Sequence, residues 1–177
     1  MSTNAGGIHF IRHNSLHANC IGLKAVLPSG EILDNITTLR KDNTGYDLKH
    51  LFIGAEGTLG VITECAILCP PKPKFKQIAI LACHSFEDVV SVLKKAKIHL
   101  SDILNACEFI DQESMKIVLN YRNKADLFDQ KHPFYSIIEV ASNNDPEVVP
   151  EESERLLSFL EIVSEHIIDG LVPQGET

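Results

Sequence analysis

The 177 residues are 44% hydrophobic and carry 16 basic against 24 acidic side chains, a formal net charge of −8 at pH 7. That is enough apolar material for one core, or for two small ones. The acidic balance, with no stretch that concentrates Lys and Arg, argues against nucleic acid or an anionic membrane as partner, and no run reaches the ~18 apolar residues that span a bilayer.

The chain opens on Thr3-Asn4-Ala5-Gly6-Gly7, small residues whose backbone can close on a pyrophosphate. It has neither the basic leader nor the apolar segment of a targeting peptide. Starting inside such a loop, it reads as a piece of a longer protein. Ile8 to Arg12 is a short amphipathic turn and His13 to His17 a polar stretch. Cys20 to Leu27 and Glu31 to Asp34, joined by Pro28-Ser29-Gly30, form a β-hairpin by turn chemistry. After polar residues to Asp47, that aspartate is placed to cap a helix Leu48 to Ile53, with Leu48, Leu51 and Phe52 on one buried face. Asp42, Asn43 and Asp47 lack the register of a calcium loop. Glycine then recurs at Gly54, Gly57 and Gly60, where positive φ is free and backbone amides can approach a phosphate or a flat heterocycle. The loop matches neither the P-loop nor the dinucleotide fingerprint. Val61 to Leu68 is rich enough in β-branched residues to be a strand buried on both faces, and Pro70-Pro71-Lys72-Pro73 is a stiff border.

Beyond the border, strands and helices alternate. The strands are Gln77 to Cys83, Ile103 to Ile110 and Phe134 to Val140, and Ile167 to Val172 follows the last helix. Ser85 caps a helix to about Leu100 with stripe Val89, Val92, Leu93 and Ala96, and Asp88 echoes a capping box. Asp111 caps a second helix carrying Met115, Val118 and Leu119. After a polar loop with Pro146 and Pro150, Glu151 to His166 is a third helix with stripe Leu156, Leu157, Leu160 and Val163. One sheet with its helices on one side is expected.

The five cysteines, Cys20, Cys65, Cys69, Cys83 and Cys107, lie in apolar runs and read as reduced core thiols. Cys65 and Cys69 have the wrong spacing for zinc. His13 and His17 would share a face if helical, but no third ligand accompanies them. A surface or turn role outweighs a metal one, and His50, His84, His99, His132 and His166 are assigned no chemistry.

Several of these stretches together resemble a known family. Thr3 to Gly7, Lys41-Asp42-Asn43-Thr44-Gly45-Tyr46-Asp47-Leu48, Leu51-Phe52-Ile53-Gly54, Glu56-Gly57-Thr58-Leu59-Gly60-Val61-Ile62-Thr63 and Cys69 to Pro73, in that order, are similar to the FAD-linked oxidases of the vanillyl-alcohol oxidase superfamily. Within it the D-2-hydroxyglutarate dehydrogenases match best and the D-lactate dehydrogenases next. The resemblance implies an α+β chain: residues 1–73 as the second half of a PCMH-type FAD-binding domain, and 74–177 as part of a ferredoxin-like α/β cap (substrate) domain.

By resemblance, Thr3, Asn4, Ala5 and Gly6 hold the pyrophosphate of FAD, and Glu56, Gly57, Thr58, Leu59, Gly60, Val61 and Ile62 run along the cofactor. The implied reaction is oxidation of D-2-hydroxyglutarate to 2-oxoglutarate by hydride transfer to flavin, in the mitochondrion, with electrons passed to a carrier protein. The alternatives are a D-lactate dehydrogenase and an inactive truncated binding module. The family's catalytic residues, its substrate arginine and the His/Glu set that binds a zinc-like divalent metal match nothing here. Where relatives have Tyr-Gly and a later Gly, this chain has His13-Asn14 and Ala18, so a bend beside the cofactor carries an extra Cβ.

Overall fold

The computed structural model describes residues 1–144 and 151–173; the loop with Pro146 and Pro150 and the last four residues lie outside it. The chain divides into two compact units, Met1–Pro71 and Lys72–Thr177.

The first unit is built on the hairpin. β1 (Cys20–Val26) pairs antiparallel with β2 (Ile32–Asn35) from Val26↔Ile32 onward, and the turn closes with Gly30 N–H donating to Leu27 O at 2.9 Å. The other edge of β1 takes β3 (Val61–Ile67), also antiparallel, giving the order β2-β1-β3. Leu23 and Ala25 point from β1 into a small core with Cys20, Phe52 and Ile53. Three short helices decorate it: α1 (Phe10–His13), α2 (Leu16–Asn19) and α3 (Lys49–Phe52).

Two expectations fail in this unit. β3 is mostly exposed rather than buried on both faces, with Val61 65% and Ile67 43% accessible. Its β-branched residues reported a strand, but burial is set by neighbours, and β3 is an edge. The helix expected over Leu48 to Ile53 is a single turn: Leu48 occupies the cap without a side-chain bond, Leu51 is exposed, and Phe52 and Ile53 fill the core. Asp47 does not cap it, because its carboxylate is taken by Lys49 and His50.

The second unit is a four-stranded antiparallel sheet, order β5-β6-β4-β7, from β4 (Phe75–Cys83), β5 (Leu104–Asp111), β6 (Phe134–Ser142) and β7 (Ile167–Leu171). β6 lies between β4 and β5 and runs against both, a split βαβ unit. α4 (Phe86–His99) starts as expected: the Ser85 hydroxyl accepts the Asp88 amide at 3.1 Å and donates to the Asp88 carboxylate at 2.8 Å. α5 (Gln112–Arg122) is capped by Asp111, and α6 (Glu151–Ile162) is followed by a 3-10 turn, Ser164–His166.

The helices are not all on one side. Met115 of α5 packs with Ala82, Phe128 and Tyr135 on one sheet face. Residues of the opposite parity, Leu81, Cys83, Ser136 and Ile138, are wholly buried on the face that α4 and α6 cover. α5 sits between two strands paired as neighbours, so no crossover obliges it to share the side of α4. Val118 and Leu157, placed on apolar stripes by spacing, are exposed, whereas Phe159, which was not singled out, is buried. The sheet also buries Glu139, paired with Lys76 at 2.7 Å and hydrogen-bonded by Asn105.

The cysteines divide. Cys20 and Cys83 are buried and Cys107 half-buried, but Cys65 and Cys69 are exposed, Cys69 because the strand ends at Ile67. All five are free thiols.

Candidate functional site

The two segments singled out for a cofactor lie against each other. Residues 1–4 make a turn, with Asn4 N–H donating to Met1 O at 2.9 Å and Asn4 at φ 47°. The glycine loop binds that turn edge-on: Gly54 N–H donates to Met1 O at 3.3 Å and Glu56 N–H to Ser2 O at 2.9 Å. The loop is itself tied, since the amide and hydroxyl of Thr58 both donate to Ala55 O, at 2.9 and 2.6 Å. Gly54, Gly57 and Gly60 all take positive φ, as does Glu56 at 49°.

Ala5, Gly6 and Gly7 leave this turn and line a groove of about 410 Å³, walled further by Ile8, Leu16 and Ile67. Among the described residues the amides of Ala5, Gly6 and Gly7 donate to nothing. A Cβ placed on Gly6 or Gly7 would meet no atom within 4 Å. Free amides beside apolar walls suit an anion joined to a flat ring, as a dinucleotide presents them.

The predicted residues thus have different roles. Ala5 and Gly6 line the groove, and Thr3 and Asn4 form the turn that presents them. Glu56 to Ile62 do not line it: the Glu56 amide is used by Ser2, Val61 begins β3, and Ile62 packs on the core. Of them only Glu56 bonds to the first segment, bracing it together with Gly54. Sequence reasoning missed His13, Asn14 and Leu16 as groove residues. His13 is held below the ordinary imidazole value by burial, then by the neighbouring charges of Arg12 and His9. Asn14, at φ 62° and ψ −166°, occupies backbone space that is almost exclusive to glycine. The departure from the Tyr-Gly implied by the family resemblance was the available signal. Ala18 lies in α2 with no such φ.

His13 and His17 belong to different helices, separated by Asn14. His17 pairs elsewhere, its Nδ1 lying 2.7 Å from Nδ1 of His50, while His50 Nε2 is 3.1 Å from Asp47 Oδ2. No sequence pattern joins two histidines 33 positions apart.

A family model described as FAD linked oxidases, C-terminal domain, matches residues 72–176. The chain belongs to the FAD-linked oxidases. It is 45% identical over 161 residues to a D-2-hydroxyglutarate–pyruvate transhydrogenase of Saccharomyces cerevisiae, covering 90% of this chain and 32% of that protein. It is 44% identical over 172 residues to the mitochondrial D-2-hydroxyglutarate dehydrogenase of Rattus norvegicus, covering 96% and 31%. A solved alkyldihydroxyacetonephosphate synthase superposes with a TM-score of 0.66 at 20% identity, over 97% of this chain and 32% of that one, a likeness of fold. This FAD-linked oxidase chain spans about a third of the length of these relatives.

Proposed function

We propose that this chain supplies one wall of the FAD site, and part of the cap, of an enzyme that oxidises D-2-hydroxyglutarate to 2-oxoglutarate. The observation that carries the reading is the row of unbonded amides, Ala5 to Gly7, on a groove large enough for part of a dinucleotide. Residues 1–73 are the second half of the PCMH-type domain. Residues 74–177 are the ferredoxin-like part of the cap, a reading supported by the split βαβ order.

Bound FAD would accept the hydride from the 2-hydroxy acid. The chain's own contribution is binding and orientation. Ala5, Gly6 and Gly7 offer amides to phosphate oxygens, and Thr3 and Asn4 hold the turn that aims them. Ile8, Leu16 and Ile67 give apolar contact and exclude water. The amides of Gly54 and Glu56 hold that turn in place through Met1 and Ser2. His13, kept neutral, puts no cation into the groove at neutral pH. The substrate arginine and the zinc-like metal belong to segments outside this sequence, as does the docking of a carrier protein. Among the described residues no group of three His, Cys, Asp or Glu is placed for a metal. The mitochondrial name of the rat relative supports that compartment.

The test uses the full-length protein, purified and checked for flavin absorbance, then mixed anaerobically with D-2-hydroxyglutarate or D-lactate. Bleaching of the flavin by D-2-hydroxyglutarate, with re-oxidation by a carrier protein or by pyruvate identifying the acceptor, is the expected result. A protein that takes up no flavin, or whose flavin neither acid reduces, overturns the reading.

A further inference from the structure

The contact between His17 and His50 joins two elements that each lead into the flavin site. His17 lies on α2, whose Leu16 lines the groove and which directly follows the groove residues His13 and Asn14. His50 lies on α3, whose C-cap Ile53 opens the glycine loop that braces Met1 and Ser2. Their Nδ1 atoms are 2.7 Å apart and their ring centroids 4.9 Å apart. Resting on the flavin reading above, we propose that His17 and His50 are positioning residues that clamp the groove wall to the bracing loop through one shared proton.

Two bare imidazole nitrogens, or two N–H groups, cannot meet at 2.7 Å; one of the two must carry the proton. Asp47 decides which. Its carboxylate accepts Nε2–H of His50, so in the neutral pair His50 Nδ1 is bare and accepts Nδ1–H from His17. One added proton is tolerated: His50 becomes an imidazolium against Asp47 and donates to His17, which shifts its own proton to Nε2. A second added proton sets two N–H groups head to head and opens the clamp. The clamp therefore holds in the neutral and singly protonated pair and is lost when both imidazoles carry two protons.

The other charged and titratable groups lining the same cavity of about 230 Å³ do not replace this switch. Lys49 is paired with Asp47, Asp42 Oδ1 accepts the Thr44 amide and is held in its ionised form by it, and Cys20 is buried and donates to Gly22 O.

The test is flavin affinity of the full-length protein between about pH 5 and 8, for the native sequence, His17→Ala and His50→Asn, alongside 15N spectra of the imidazoles. His17→Ala should weaken flavin binding about 2- to 10-fold at neutral pH, the loss expected for one hydrogen bond, and flatten the acid fall. In His50→Asn the amide oxygen takes the place of Nδ1 and can still accept from His17 Nδ1 but cannot take the second proton, so it should keep affinity near that of the native protein and remain flat in acid. The spectra should show one proton shared between the two Nδ1 atoms. Imidazoles that titrate independently, or a His17→Ala protein with unchanged affinity and an unchanged acid profile, overturn the clamp. Spectra showing the shared proton in a protein that binds no flavin would overturn the flavin reading instead.

Discussion

Asn14 provides a sharp test of the backbone path beside the groove. It ends α1, donating its N–H to Phe10 O at 2.8 Å, and then must turn at φ 62° and ψ −166° so that Ser15 can begin α2. That conformation is close to glycine-only, and holding an L-residue there costs about 1–3 kcal/mol. Asn14→Gly removes the cost but gives the unfolded chain more freedom, a loss of about 0.4–1 kcal/mol. The net is a gain of up to about 2.6 kcal/mol, about 1.3 kcal/mol at the middle of both ranges. For a unit the size of Met1–Pro71, each kcal/mol moves the melting temperature about 4–8 °C.

The assay is denaturant unfolding with thermal melts of native, Asn14→Gly and Ala18→Gly proteins. Ala18 is the other position where the family resemblance implies glycine, yet it sits in α2 at ordinary φ, so its change to glycine should cost up to about 1 kcal/mol. Opposite signs at the two positions are expected. An unchanged or lowered midpoint for Asn14→Gly would refute the reasoning, because the strain would then not be present in the folded state.

Thiol titration of the folded protein should find Cys65 and Cys69 fast and Cys83 and Cys107 slow, because burial pushes the latter pair up to about 11, leaving about a hundredfold less thiolate than an ordinary cysteine. Uniform rates would contradict the packing of the sheet. The Ser85 hydroxyl, then His166 Nδ1 at 2.9 Å, hold Asp88 below the usual carboxylate range. Its contribution to stability is therefore present above about pH 4 and lost as pH falls below, and Asp88→Asn should shrink the difference in unfolding midpoint between about pH 3 and 6. Phe159→Ala, emptying a wholly buried site on α6, should cost about 3–5 kcal/mol in denaturant unfolding, and a loss under about 1 kcal/mol would contradict its burial.

What could be read in the sequence was whatever local chemistry decides. The Pro28-Ser29-Gly30 hairpin, the Ser85 and Asp111 caps and the positive φ of Gly54, Gly57 and Gly60 depend on a few adjacent residues, and each is present. Apart from the Asp47 cap, lost to its neighbours Lys49 and His50, what failed depended on remote partners. Val61 to Ile67 has the composition of a central strand but forms an edge, and α5 keeps its stripe spacing while lying on the opposite sheet face from α4. In the candidate site, Ala5 and Gly6 were legible as small residues in a loop. The pairing of His17 with His50 was not, since it arises only when α2 and α3 meet.

The bracing role of the glycine loop can be isolated with a matched pair. Gly54 and Gly57 have almost the same φ, 83° and 82°, so alanine at either carries a similar backbone penalty of about 1–2 kcal/mol. Their surroundings differ. At Gly57 a Cβ meets nothing within 4 Å, whereas at Gly54 it lies 3.2 Å from Asn4 Cβ and Asn4 must yield by a few tenths of an ångström. That shift moves the turn that aims Ala5 to Gly7, although residue 54 is not among those lining the groove. Both variants should therefore lose similar stability, but only Gly54→Ala should weaken flavin binding beyond what its stability loss explains. If Gly57→Ala weakens it more, the glycine loop contacts the cofactor itself, and bracing is not its main contribution.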